Sequence, residues 1–176
     1  MTIAPVLRAL ENIGAPHCLI GAHAMAARGY PRFTIDVDLL TSDPRVLQRD
    51  AWNALGAGGA TIEPRRGDAD DPLGGVVHIM LADGTDVDLV LGKWKWEAGV
   101  IDRAERMEVL DSVLPVALAS DLILLKLAAG GYLDLRDAAA LLAIGDREAL
   151  VRDVDSKISE VYPDITAAWR ELREET

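Results

Sequence analysis

The sequence predicts an α/β fold of the mixed α+β kind, a mixed sheet with a helical C-terminal region packed on it. Three observations carry this. Short apolar runs alternate with Ala- and Leu-rich stretches of helical period up to about residue 118. Two of those runs, VVHIML and TDVDLVL, are joined through Ala-Asp-Gly-Thr, where Asp83-Gly84 is a strong two-residue hairpin signal. From residue 119 the pattern turns wholly helical with no linker at the change. Residues 1–118 therefore read as an α/β core and 119–176 as a helical bundle lying on it.

In chain order, Pro5 to Ile13 has the spacing of a helix, with Gly14 as its stop. HCLIG, residues 17–21, is a short apolar strand, and AHAMAARG follows directly as a helix ending at Gly29. FTIDVDLLT is the next strand, and RFTIDVDLL, residues 32–40, fits a buried one. Ser42 or Asp43 caps a helix with Pro44 at its first position, running to about Leu55 and ended by Gly56, Gly58 and Gly59. ATIEP is a strand and RRGDADDPLGG a polar loop rich in Gly and Pro. After the hairpin, GKWKWEAGVIDRAER is a loop into a short helix, and MEVL and VLPVA are two further strands. SDLILLKLAAG, LDLRDAAALLA and DREALVRDVDSKI are helices, with Ser120 and Asp146 as N-caps, and an amphipathic helix runs through Trp169.

Composition narrows the function. Half of the 176 residues are hydrophobic, enough for a packed core. A net charge of −11 argues against a long basic groove for nucleic acid, though not against a local basic patch. Cys18, the single cysteine, lies in an apolar run without an intrachain partner, which points to a reducing compartment and a buried structural thiol. MTIAPVLRALENIG carries no cleavage-like site. Asp121 and Lys126 interrupt the most apolar run, so no membrane span is expected. A soluble, cytoplasmic protein is the expectation.

The chemistry lies in the carboxylates. Asp36 and Asp38 are spaced by one residue on a strand and so share a face. The second hairpin strand repeats the pattern with Asp86 and Asp88. If the two strands lie side by side, three or four carboxylates meet at one spot, at a cost that a cation relieves. Hard oxygen ligands in that number suit Mg²⁺ or Mn²⁺. Upstream, Gly21-Ala22 stands at a strand-to-helix turn, where free backbone N–H groups suit a phosphate. A solvated sheet face is the plain alternative.

LIGAHAMAARGYPRFTIDVDLL resembles the signature of the nucleotidyltransferase superfamily with a DNA-polymerase-β-like fold. The variant here, G-x-H-A-x-x-x-x-G-x-x-R-x-T-x-D-x-D-L-L, is most similar to bacterial abortive-infection (AbiEii-type) nucleotidyltransferases. ASDLILLKLAAGGYLDLRDAAALL resembles the same group, and the likeness covers roughly residues 16–145. It implies Asp36 and Asp38 as metal ligands and Asp88, in preference to Asp86, as the third carboxylate. It also implies Gly21 against the nucleotide phosphates and Lys126 on the triphosphate. Ala22 stands where many members have Ser or Gly, which removes a hydroxyl and leaves the backbone donors. The implied activity moves NMP from an NTP to an acceptor hydroxyl, with Mg²⁺ or Mn²⁺, releasing pyrophosphate. The acceptor would be RNA such as tRNA, a protein or a small molecule, within a toxin–antitoxin pair that includes an antitoxin partner.

Other residues allow two readings each. Arg32 binds phosphate or pairs with an aspartate. Thr34 hydrogen-bonds a ligating carboxylate or simply favours a strand. His23 contacts nucleotide or is a polar helix-start residue, while His17 and His78 read as structural. Lys126, in an apolar helix, needs an anionic partner: the carboxylate cluster or a triphosphate. Asp134 and Asp137 read as a cap and an ion pair. Trp94 and Trp96, interleaved with Lys93 and Lys95, hold nucleic acid or edge the core. Two rival functions are a haloacid-dehalogenase-type phosphatase, whose expected Thr falls one position late at Thr41, and a non-catalytic nucleotide-binding or regulatory module on the same fold.

Overall fold

The computed structural model describes residues 2–175. Helix α1 (Ala4–Ile13) buries Val6, Leu7 and Leu10 along one side. It ends at Gly14, whose left-handed backbone (φ 70°) returns its N–H to the Glu11 carbonyl. Strand β1 (His17–Leu19) passes at once into α2 (Gly21–Ala27), and then come β2 (Asp36–Thr41), α3 (Asn53–Ala57), β3 (Thr61–Arg66), β4 (Gly75–Met80) and β5 (Asp86–Leu91). Helix α4 (Lys95–Arg103) leads to the hairpin of β6 (Glu105–Val109) and β7 (Ser112–Val116). Helices α5 (Ala119–Ala129), α6 (Tyr132–Ile144), α7 (Arg147–Lys157) and α8 (Pro163–Glu175) follow.

The strands form one mixed sheet in the order β3-β4-β5-β2-β1-β7-β6. The pairs β2–β5 and β1–β7 are parallel and the others antiparallel. Alternation along the strands sorts the two faces. Val37, Leu39, Val77, Ile79, Val87 and Leu89 are fully buried on one face. The other carries Asp36, Asp38 and Leu40 from β2 beside Asp86, Asp88 and Val90 from β5. Helix α5 buries apolar residues on several sides because it is surrounded: α2, α6, α7 and α8 all pack on it, and Leu122, Ile123, Leu124 and Leu127 are buried. The architecture is the expected mixed α/β one, with the C-terminal helices on the core. No helix among the described residues is long and apolar enough to cross a membrane.

Several elements depart from the sequence expectation. Strand β2 starts only at Asp36, leaving Phe33 and Ile35 outside it, 86% and 66% exposed. Pairing explains this: Asp36 lies opposite Asp86, and the residues before Asp86 belong to a turn, so nothing is left to pair with 33–35. The expected helix from Pro44 is instead two 3₁₀ turns, Pro44–Leu47 and Arg49–Trp52, before α3. Asp43 does cap the start, accepting from the Arg45 N–H at 2.9 Å. The Val46 carbonyl, which a continuous helix would use, takes the Trp52 indole N–H at 2.7 Å. Ser120 is not an N-cap: α5 begins one residue earlier, and Ser120 is buried against α7, donating to Asp153 and accepting from Lys157 Nζ at 2.6 Å. Asp146 caps α7, accepting from the Ala149 N–H at 3.0 Å.

The hairpin is also one residue longer than a two-residue turn at Asp83-Gly84. Leu81 pairs with Thr85, leaving a three-residue loop whose last member, Gly84, is left-handed (φ 85°). A two-residue turn would place Ile79 opposite Asp88. The extra residue places His78 there instead.

Candidate active site

The parallel pairing of β2 with β5 sets Asp36 opposite Asp86 and Asp38 opposite Asp88. Carboxylate oxygens of Asp36, Asp38 and Asp88 consequently lie within 4.8 Å of one another. The cluster is electrostatically uneven. Burial, reinforced by Asp36 and Asp88, outweighs Lys126 and Arg32 and pushes the Asp38 carboxyl up to about 6. Asp36 moves the other way. The Thr34 hydroxyl donates to it, Arg32 and His23 add positive field, and its carboxyl is held below the usual range. An all-oxygen donor set in which Asp38 is driven toward protonation by burial and by its two carboxylate neighbours fits a divalent cation, which would relieve the repulsion.

Gly21 makes the close approach at this point. Its backbone is left-handed (φ 63°), and a Cβ there would lie 2.6 Å from Asp38 Cγ and 2.8 Å from Asp38 Cβ. Only glycine lets α2 start directly against the Asp38 side chain. Ala22 is buried beneath that turn. His23 presents a buried Nε2 that takes no hydrogen bond, and desolvation lowers its pKa against the pull of Asp36.

Two cations stand at the edge of the cluster, each anchored by α6 rather than by the site carboxylates. Lys126 Nζ lies 2.7 Å from Asp134 Oδ1 and 3.1 Å from Asp137 Oδ2, and Arg32 Nε lies 3.3 Å from Asp137 Oδ2. Of the two anionic partners the sequence allows for Lys126, the carboxylate cluster is not the one it pairs with; Asp137 makes the ion pair expected of it, and Asp134, expected as a cap, pairs with Lys126 instead. His78, read from sequence as structural, has Nδ1 2.9 Å from Asp88 Oδ1 and 3.4 Å from Asp86 Oδ1. The one signal that would have found it is the true loop length of the hairpin.

Two clefts flank the carboxylates. One, of about 530 Å³, runs from Gly21, Asp38 and Lys126 over Leu40 and Val90 toward Trp94. Trp94 stacks edge-on against Tyr162 with centroids 4.8 Å apart. The other, of about 500 Å³, is polar and is lined by Glu63, Arg65, Arg66, His78 and Asp88. The Trp–Lys alternation beside the first cleft has a local explanation. Lys93 Nζ is held by the carbonyls of Asp68, Ala69 and Asp71, and Glu97 accepts the N–H groups of Lys93 and Trp94 at the start of α4. Cys18 is fully buried, and burial pushes its thiol up to about 12, so it is inert at neutral pH.

The chain superposes on the solution structure of the antibiotic-resistance factor ANT(2'')-Ia with a TM-score of 0.57 at 16% identity, covering 99% of this chain and 96% of that one. A crystal structure of ANT(2'')-Ia in complex with adenylyl-2''-tobramycin aligns at 0.56 and 17% identity, over 89% and 95% of the two chains. No protein-family model matches the sequence, and no curated protein matches it. The chain shares its fold with ANT(2'')-Ia.

Proposed function

We propose that the protein is a divalent-metal-dependent nucleotidyltransferase that moves NMP from an NTP to an acceptor hydroxyl. The observation that carries this is the convergence of Asp36, Asp38 and Asp88 from two parallel strands at the left-handed turn of Gly21. In the reaction an acceptor oxygen forms a bond to the α-phosphorus, the bond to the β-phosphate oxygen breaks, pyrophosphate leaves, and the acceptor proton passes to a base or solvent. Asp36, Asp38 and Asp88 would hold Mg²⁺ or Mn²⁺, and such an ion supplies charge neutralisation on the phosphates and acidifies a nearby hydroxyl. Thr34 fixes the Asp36 carboxylate. Gly21 and Ala22 offer backbone N–H groups at the start of α2 to the phosphates. Lys126 and Arg32, pre-positioned by Asp134 and Asp137, face the developing negative charge, with His23 near Asp36. The apolar cleft over Leu40 and Val90 then takes the base and ribose.

For the acceptor, the adenylylated tobramycin held by ANT(2'')-Ia supports a hydroxyl-bearing small molecule. The AbiEii-like motifs support an RNA such as tRNA, with an antitoxin partner. The test is incubation with each α-labelled NTP, Mg²⁺ or Mn²⁺, and total RNA, tobramycin or the protein itself. Label should move to one acceptor class, with Asp36→Ala and Asp38→Ala inactive. Label that persists in both variants removes these residues from the mechanism. Nucleotide binding without turnover on any acceptor replaces the enzyme with a non-catalytic module.

A further inference from the structure

On the β4 side of Asp88 the donor set changes character. The hairpin register puts His78 directly across from Asp88, with Asp86 two residues along on the same face. One ligand atom from each of His78, Asp86 and Asp88 lies within 4.8 Å of the others, with His78 Nδ1 2.9 Å from Asp88 and 3.4 Å from Asp86. Asp86 Oδ1 is buried and accepts no hydrogen bond. His78 Nδ1 reaches that oxygen only at 3.4 Å, too long for a good hydrogen bond, so the Asp86 oxygen is left under-satisfied. The polar cleft lined by His78 and Asp88 opens this triad to solvent.

We propose that His78, Asp86 and Asp88 form a second divalent-cation site, selective for transition ions such as Mn²⁺ over Mg²⁺, and joined through Asp88 to the ion at Asp36 and Asp38. The nitrogen donor sets the selectivity, because imidazole suits transition metals and Mg²⁺ keeps to oxygen. An ion there would also give the Asp86 oxygen a closer partner than His78 at 3.4 Å. Only the joining through Asp88 rests on the nucleotidyltransferase reading; the His78 site stands on the β4–β5 pairing.

The test is Mn²⁺ and Mg²⁺ titration of the untagged full chain by calorimetry, with electron spin-echo detection of nitrogen coupled to bound Mn²⁺. The expected result is two Mn²⁺ per chain in the wild type and a nitrogen coupling that His78→Ala abolishes. That variant should lose one Mn²⁺, or weaken it at least tenfold, and bind Mg²⁺ as before. His78→Gln, which keeps polarity and bulk, should do the same, with unchanged circular dichroism in both. Unchanged Mn²⁺ stoichiometry and affinity in the two variants, or a nitrogen coupling that survives them, overturns the site. Asp38→Asn separates the two readings. It should remove the other ion and keep the nitrogen signal, whereas metal binding unaffected by it sinks the three-aspartate site and leaves the His78 site standing.

Discussion

Asp38 keeps its proton to about pH 6 because burial and two like charges oppose its ionisation. Its folded pKa is therefore above the unfolded value near 4. Between those values the native state binds more protons than the unfolded one, so stability of the metal-free protein falls as pH rises through that window. The cost is complete above the folded pKa and absent below the unfolded one. Asp38→Asn should thus stabilise the metal-free protein at pH 7 by roughly 3 kcal/mol, or about 5–10 °C in melting temperature. The gain should vanish by about pH 4. Thermal scans in chelator at both pH values check this, and a less stable variant at pH 7 would contradict it. Gly21 makes the reverse case. An alanine there meets both the left-handed backbone and the Asp38 side chain, so Gly21→Ala should cost at least about 2 kcal/mol in urea melts. Both positions were legible in the sequence, because Asp-x-Asp on a strand and a glycine at a strand-to-helix turn fix local geometry by themselves. His78 was not, since its partner depends on a single extra loop residue.

At the scale of elements, the C-terminal helices are held to the core by buried charge as well as by apolar contact. Asp121, fully buried in the first turn of α5, pairs with Arg103 of α4 at 2.7 Å and Lys157 of α7 at 3.3 Å. Lys157 also reaches Asp153 at 2.9 Å. Removing the carboxylate leaves two cations without their buried partner, and that loss exceeds what the intact pair contributes over an apolar replacement. Asp121→Ala should therefore destabilise the fold by about 3–5 kcal/mol, read as a lower urea midpoint at unchanged slope. An effect below about 1 kcal/mol would show that the pairs are screened by solvent. The sequence marked Asp121 only as an interruption of an apolar run, because the partners lie on other elements. Element boundaries misled for the same reason. The segment 33–35 has strand composition but no strand beside it, and the helix expected from Pro44 loses a carbonyl to the Trp52 indole.

Across the whole molecule, the change near residue 119 is one of element type, while buried side chains on both sides of it, from Leu39 to Leu122 and Trp169, belong to one core cluster. The fold class followed from patterning, whereas the parallel adjacency of β2 and β5 did not, since long-range pairing leaves no local mark. That adjacency concentrates carboxylates in a chain that already carries a net charge of −11. Such a molecule gains from any salt by screening, and from a divalent ion by binding as well. The two contributions separate at matched ionic strength. Mn²⁺ at a hundred times its dissociation constant should add about 2.7 kcal/mol, or roughly 5–10 °C, over an equivalent concentration of KCl. Asp88→Asn, which removes the carboxylate that belongs to both groupings, should lose most of that increment while keeping the KCl response. If Mn²⁺ and KCl shift the melting temperature equally in the wild type, the acidic face is a solvated surface and the convergence of these strands has no ligand to serve.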